Sequence, residues 1–155
     1  MISRSSALSA AALTILVGVP AALAATLPGG ARYAGKTGNG SAVMLRLSGD
    51  SARVARMRIH YTLHCVDANT GAKSTGKSFT DILNPPLRSD GSFKGAGTYK
   101  GSSDNSTNKF TVAGRVTTRT SSGTFALTAV ATAQPSGDTV NCKTGTLHWR
   151  AARAH

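Results

Sequence analysis

Glutamate is absent from this chain, and its only acidic residues are six aspartates. Glycoside hydrolases usually need two facing carboxyl groups, so both would have to be aspartates here. Four of the aspartates lie in turn-like strings of small polar residues, where this side chain normally caps backbone N–H groups: Asp50, Asp90, Asp104 and Asp138. The composition therefore disfavours a hydrolase that works through two carboxylates.

Asp81 differs from those four, because strand alternation places it on the same face as Phe79 and Leu83. We interpret it as a residue at a strand end or bulge, since Asn84 and Pro85 follow and proline cannot donate to a strand ladder. A functional buried carboxylate is the alternative. An extracellular hydrolase stays open on that ground as the less favoured function.

Aromatic residues are also scarce, with one Trp, three Tyr and four Phe. Barrels that carry small ligands tend to line their cavity with aromatic rings. An avidin-like barrel would need several Trp residues, and a lipocalin-like barrel would need a Trp near its first strand. The aromatic content is about what one core requires. A small-ligand carrier barrel is therefore the alternative function and not the preferred one.

Helical periodicity is absent after the N-terminal region, and strict alternation of apolar and polar residues takes its place. Turn pairs such as Asn39-Gly40 and Asp90-Gly91 separate the alternating runs. The pattern predicts an all-β fold, a single antiparallel β-sandwich or flattened barrel of about eight strands that pair as neighbours. The strands are expected near residues 31–37, 42–48, 53–65, 77–83, 92–99, 109–118, 123–133 and 143–152.

Only one apolar run is long, at residues 7–19, and it is too short for a comfortable membrane span. Arg4 precedes it, Pro20 ends it, and Ala22-Leu23-Ala24 then provides small residues at the positions that a signal peptidase requires. Residues 1–24 are therefore predicted to be a signal peptide, cleaved between Ala24 and Ala25. Residues 25–155 form one secreted domain without a membrane span.

Cysteine occurs only twice, at Cys65 and Cys142. In an oxidising compartment, an even pair of this kind predicts one disulfide that closes a long loop. Two cysteines without a C-x-x-C partner set supply too few ligands for a structural metal. The disulfide is thus the expected state of both residues.

Motifs that could indicate catalysis or cofactor binding lack the surrounding structure that they need. Residues 71–78 match the phosphate-loop pattern G-x-x-x-x-G-K-[ST], but Asn84-Pro85-Pro86 soon follows and rules out the helix that this loop needs. His60 and His64 would lie about 13 Å apart on a strand, too far to share one ion. The chain also has no G-x-S-x-G motif. We expect no catalytic residues, no metal site, no cofactor and no bound nucleotide.

Basic residues are abundant, with 18 Lys and Arg against six acids and a formal net charge of +12 at pH 7. Removal of Arg4 with the signal peptide leaves +11. Alternation puts many cations opposite the apolar face of their own strands. This pattern predicts weak attraction to anionic cell-wall or other extracellular polymers, without preference for specific nucleic acids, at Arg56, Arg58, Arg115 and Arg150.

Three short motifs carry a resemblance. Tyr33-x-Gly35-x-Thr37 opens the domain, Asp90-Gly91-Ser92-Phe93 forms a turn, and Cys142-x-Thr144-Gly145 precedes Trp149-x-Ala151-x-Arg153. Together they resemble a group of small secreted actinobacterial proteins that has no assigned activity. The resemblance implies an all-β secreted domain and no catalytic residues. The preferred function is therefore that of a secreted, non-enzymatic β-domain that binds polyanions at its surface.

Overall fold

The computed structural model describes residues 26–101, 106–132 and 137–154. The predicted signal peptide, with its cleavage site at Ala24 and Ala25, lies outside the described residues. Eight strands and no helix are found within them. No helix of this part of the chain could cross a membrane. The strands are β1 (Arg32–Thr37), β2 (Ala42–Leu47), β3 (Val54–Asp67), β4 (Lys73–Leu83), β5 (Ser92–Lys100), β6 (Thr107–Val116), β7 (Thr120–Thr132) and β8 (Thr139–Arg153).

All eight strands belong to one antiparallel sheet in the order β4-β3-β2-β1-β8-β7-β6-β5. Each half of the chain is a meander of four neighbours, and the first strand pairs with the last to join the halves. This arrangement confirms the predicted all-β fold of eight antiparallel strands. Short hairpin turns explain it, because they leave each strand next to the one before it.

The sheet folds over on itself as a flattened, open barrel. The ring of Tyr61 on β3 stacks on Phe125 of β7 at 5.4 Å, and the hydroxyl group of Tyr33 on β1 donates to the carbonyl oxygen of Thr117 at 2.8 Å. Side chains fill the interior, and Trp149 is the largest of those that are fully buried. The alternation of the sequence thus separates a packed inner face from a polar outer face.

The sheet forks at the turn between β1 and β2, where β1 ends and β2 begins. Beyond the fork β3 pairs directly with β8, from His64 opposite Lys143 to Asp67 opposite Val140. Cys65 and Cys142 face each other within this segment, with Cα atoms 4.0 Å apart, and form the predicted disulfide. The disulfide therefore holds the two long strands together within the segment where they pair.

The main differences from the predicted strands are two earlier starts: β8 begins at Thr139 and not near residue 143, and β4 begins at Lys73 and not near residue 77. The start of β4 has a local cause. A tight turn precedes it, in which the Asp67 carboxylate accepts hydrogen bonds from the N–H groups of Asn69 and Thr70 at 2.9 and 2.7 Å. This turn lets pairing with β3 start at once. The Gly/Lys/Ser segment therefore lies in a strand, although its composition is typical of a loop.

Candidate anion-binding surface

Three arginines lie directly opposite one another on the outer face of β1, β2 and β3. The strand register pairs Arg32 with Arg46, and Arg46 with Arg56. Neighbouring strands are about 4.8 Å apart, so the three side chains leave the sheet side by side. We call them the arginine row. Like charges directly opposite each other destabilise a sheet, so this arrangement has an energetic cost.

Arg58 lies two residues from Arg56 on β3 and completes an arginine cluster of four. Both of these arginines bind the single carboxylate of Asp81 on the neighbouring strand. Arg56 Nε and Nη2 donate to Asp81 Oδ1 and Oδ2 at 3.1 and 2.6 Å, and the same atoms of Arg58 donate at 2.8 and 2.7 Å. Each guanidinium has five N–H donors and uses two of them here, so three remain on each.

These bonds hold the pKa of the Asp81 carboxyl group well below its usual range, chiefly through Arg58 and then through Arg56. A carboxylate with a depressed pKa stabilises the fold above its unfolded pKa of about 3.9, and this contribution is lost as the pH falls through the lower folded value. Asp81 therefore stays ionised at neutral pH. The four arginines and one aspartate together carry a charge of about +3 there.

Asp81 shares a face with Phe79 and Leu83, as alternation predicted, but this is the outer face of the sheet and the strand has no bulge there. Its side chain is 27% exposed on the outer face, where Phe79 and Leu83 are 48% and 63% exposed. The buried positions of β4 are Thr80 and Ile82 instead. Only one of these two is apolar, so the alternation of β4 indicated the wrong face. Asp81 is an ion-pairing residue within the strand, which ends two residues later.

Arg32 and Arg46 differ from the other two arginines, because within the described residues neither has a carboxylate partner. A groove of about 630 Å³ lies beside them. Its surface combines arginine side chains with apolar residues from β1, β2, β4 and the C-terminal segment, among them Ala34, Met44, Leu83 and Ala154. The free guanidinium groups thus border a concave surface that is large enough for a small ligand.

The four arginines predicted from the sequence are only partly brought together. Arg56 and Arg58 belong to the cluster on β3. Arg115 lies on β6, five strands away in the sheet order, and pairs with Asp90 at 2.7 Å. Arg150 on β8 lies on the outer face opposite Lys36 of β1, which is four residues along the strand from Arg32. The structure instead adds Arg32 and Arg46 to the site.

The three histidines within the described residues lie in different surroundings. His60 lies beside the ring of Phe79 at 5.5 Å, His64 faces outward near the disulfide, and His148 is on β8. Across residues 26–101, 106–132 and 137–154, no three His, Cys, Asp or Glu side chains are grouped so that they could hold a metal ion.

The phosphate-loop pattern spans the end of the β3–β4 turn and the first half of β4, and strand follows it instead of a helix. Phosphate loops bind through backbone N–H groups at the start of a helix. We therefore expect no ATP or GTP binding by the secreted protein in equilibrium dialysis. Micromolar binding that is lost in a Lys77→Ala variant would contradict this expectation.

Comparison of the chain with protein-family models, with curated proteins and with solved structures gives no match.

Proposed function

We propose that this protein is a secreted, non-enzymatic domain that binds extracellular polyanions through the arginine cluster. The observation that carries the proposal is the arginine row: three arginines directly opposite one another, with one carboxylate nearby. A solvated charged face gains nothing from placing like charges in register. A ligand that carries several negative charges would turn this unfavourable arrangement into a favourable one.

The chemistry of the cluster suits sulfate, phosphate and carboxylate groups. A guanidinium presents a planar fork of N–H donors that binds such groups through two bonds at once. Asp81 fixes the orientation of Arg56 and Arg58, so less side-chain freedom is lost when they bind an anion. A polymer with repeated anionic groups would contact these two arginines together with Arg32 and Arg46.

Two further features support a surface binder outside the cell. Bulky side chains such as Tyr33, Phe93, Phe125 and Trp149 fill the interior, which favours binding at the surface over carriage inside a barrel. The disulfide is compatible with an extracellular location, because such bonds persist in oxidising compartments.

The test is elution from a heparin column in a salt gradient, with two double variants of equal charge. One variant carries Arg32→Ser and Arg46→Ser in the arginine row. The control carries Lys94→Ser and Lys109→Ser, two exposed residues of β5 and β6, which lie three or more strands from β1 in the sheet order. We expect the natural protein to elute well above about 0.15 M salt. The row variant should elute at clearly lower salt than the control. Each arginine that contacts the polyanion releases bound counterions, and the row variant lacks two of these contacts.

Equal shifts in the two variants would show that only net charge matters, and they would contradict a site at the arginine row. Elution of the natural protein at or below about 0.15 M salt would contradict polyanion binding altogether. An Arg56→Ser, Arg58→Ser variant is less informative alone, since it also leaves the Asp81 carboxylate without its partners.

A further inference from the structure

The lining of the groove beside the arginine row includes apolar side chains, here called its floor, which a purely polyanionic ligand would not use. Met44 on β2 lies between Ala34 and Arg58 in the register, and its side chain is 47% exposed. Leu83 lies opposite Arg56 and is 63% exposed. Burial of large apolar side chains lowers the free energy, so their exposure here marks a surface that a ligand could cover.

The arginines contribute apolar methylene groups as well as charge to this groove. Arginine stems lie along apolar surface while their charged heads stay in water. Arg32, Arg46 and Arg56 line the groove together with Met44 and Leu83. A ligand that matches this lining presents a negative group to the arginines and hydrocarbon to the apolar side chains.

We propose that this groove binds a single-chain anionic amphiphile, an alkyl chain that ends in a carboxylate, sulfate or phosphate. This inference rests on the arginine cluster of the proposed function and names a ligand class for it. The anionic head lies between Arg32 and Arg46, which have no carboxylate partner in the described part of the chain. The alkyl chain lies against Met44 and Leu83. A volume of about 630 Å³ is within the range of small-ligand sites.

Isothermal titration calorimetry with decanoate, below its micellar concentration, tests the proposal. Butyrate has the same head with a shorter chain, and decyl maltoside has the same chain without charge. Each methylene removed from water tightens binding by about fourfold when it is fully buried. The chain is only partly covered in an open groove, so we expect decanoate to bind at least about tenfold more tightly than butyrate. Decyl maltoside should bind more weakly than decanoate.

Two matched single variants separate the floor from general surface hydrophobicity. Met44→Ser removes the centre of the floor, whereas Val130→Ser removes a side chain of similar exposure (49%) on the outer face of β7. We expect Met44→Ser to weaken decanoate binding several-fold and Val130→Ser to leave it unchanged. Retention on heparin should be the same for both variants, because neither change alters charge.

Equal affinity for butyrate and decanoate, or equal effects of Met44→Ser and Val130→Ser, would overturn the amphiphile proposal. If the Arg32→Ser, Arg46→Ser variant still shows reduced heparin retention in that case, polyanion binding at the arginine row stands without it. Decanoate binding that depends on Met44 but is insensitive to both arginine changes would also overturn the proposal, because it would leave the anionic head without its site.

Discussion

Replacement of both Cys65 and Cys142 by alanine is expected to lower the free energy of unfolding by about 4 kcal/mol. The disulfide joins residues 77 positions apart, and the chain-entropy model assigns about 4–5 kcal/mol to a loop of this length. Small domains are stable by only about 5–15 kcal/mol, so the change removes a large part of the total. Urea unfolding followed by circular dichroism measures the loss, and the melting temperature should fall with it.

Loss of the disulfide should affect the β3–β8 segment more than the rest of the sheet. The β3–β8 pairing exists only beyond the fork, where Cys65 faces Cys142. Without the bond, this segment can open while the rest of the sheet stays paired. Amide hydrogen exchange at residues 64–67 and 140–143 should therefore accelerate more than exchange at the β1–β2 pairs.

Reduction provides the control for the cysteine variant. Excess dithiothreitol should bring the natural protein to the stability of the double alanine variant and should not affect that variant. Two thiols that react with iodoacetamide in the secreted protein, before any reduction, would refute the disulfide. A stability loss below about 1 kcal/mol would show that the bond constrains the unfolded chain far less than its loop length implies.

The fold could be predicted from the sequence because apolar and polar residues alternate along half-buried antiparallel strands. In β2, Val43, Leu45 and Leu47 are buried while Met44 and Arg46 are exposed, as their order indicates. The same rule fails in β4, where alternation marks Phe79 and Leu83 as apolar although both are exposed. An edge strand with only one apolar inner residue, Ile82, does not contain enough signal to show which face is buried.

The arginine row could not be predicted, because it depends on a register that one turn residue decides. An Asn39-Gly40 pair suggests a two-residue hairpin loop, which would place Arg32 opposite Leu47. In the structure the loop has three residues: Thr37 N donates to the carbonyl oxygen of Ser41 at 2.8 Å, and Gly40 has a φ of 85°. The register then shifts by one residue. Arg32 meets Arg46 instead, and the two share the outer face.

The motif Tyr33-x-Gly35-x-Thr37 gains a physical meaning in the structure that alternation alone does not supply. The Tyr33 hydroxyl ties β1 to the turn after β6, and Thr37 Oγ1 accepts the Ser41 N–H at 3.0 Å to close the first hairpin. At Gly35, a Cβ atom would lie 2.0 Å from the carbonyl oxygen of Arg150. These contacts give the motif a structural role in the first hairpin, directly beside Arg32.

Some glycines inside strands are required by close neighbours, and the sequence does not show which ones. Gly123 on β7 faces Gly114 on β6 and Trp149 on β8. A Cβ atom at Gly123 would lie 2.0 Å from the carbonyl oxygen of Ala113 and 2.8 Å from the Trp149 ring. The backbone oxygen cannot rotate away as a side chain can, so the β6–β7 pairing would have to separate here.

We therefore expect Gly123→Ala to lower the free energy of unfolding by about 3 kcal/mol, at the upper end of the usual cost of overpacking. Gly76→Ala is the matched control. It makes the same change inside β4, where a Cβ atom would meet nothing within 4 Å. That variant should stay within about 0.5 kcal/mol of the natural protein, or be slightly more stable because alanine restricts the unfolded chain.

Denaturant unfolding followed by tryptophan fluorescence measures both variants, since Trp149 is the only tryptophan in the chain and is buried beside Gly123. Before unfolding, the emission of Gly123→Ala should already shift to longer wavelength, because separated strands admit water to the indole ring. Emission of the Gly76→Ala protein should match that of the natural protein. Equal stability of the two variants would contradict the close approach of β6 and β7 at Gly123, and with it the packing of Trp149 between facing glycines.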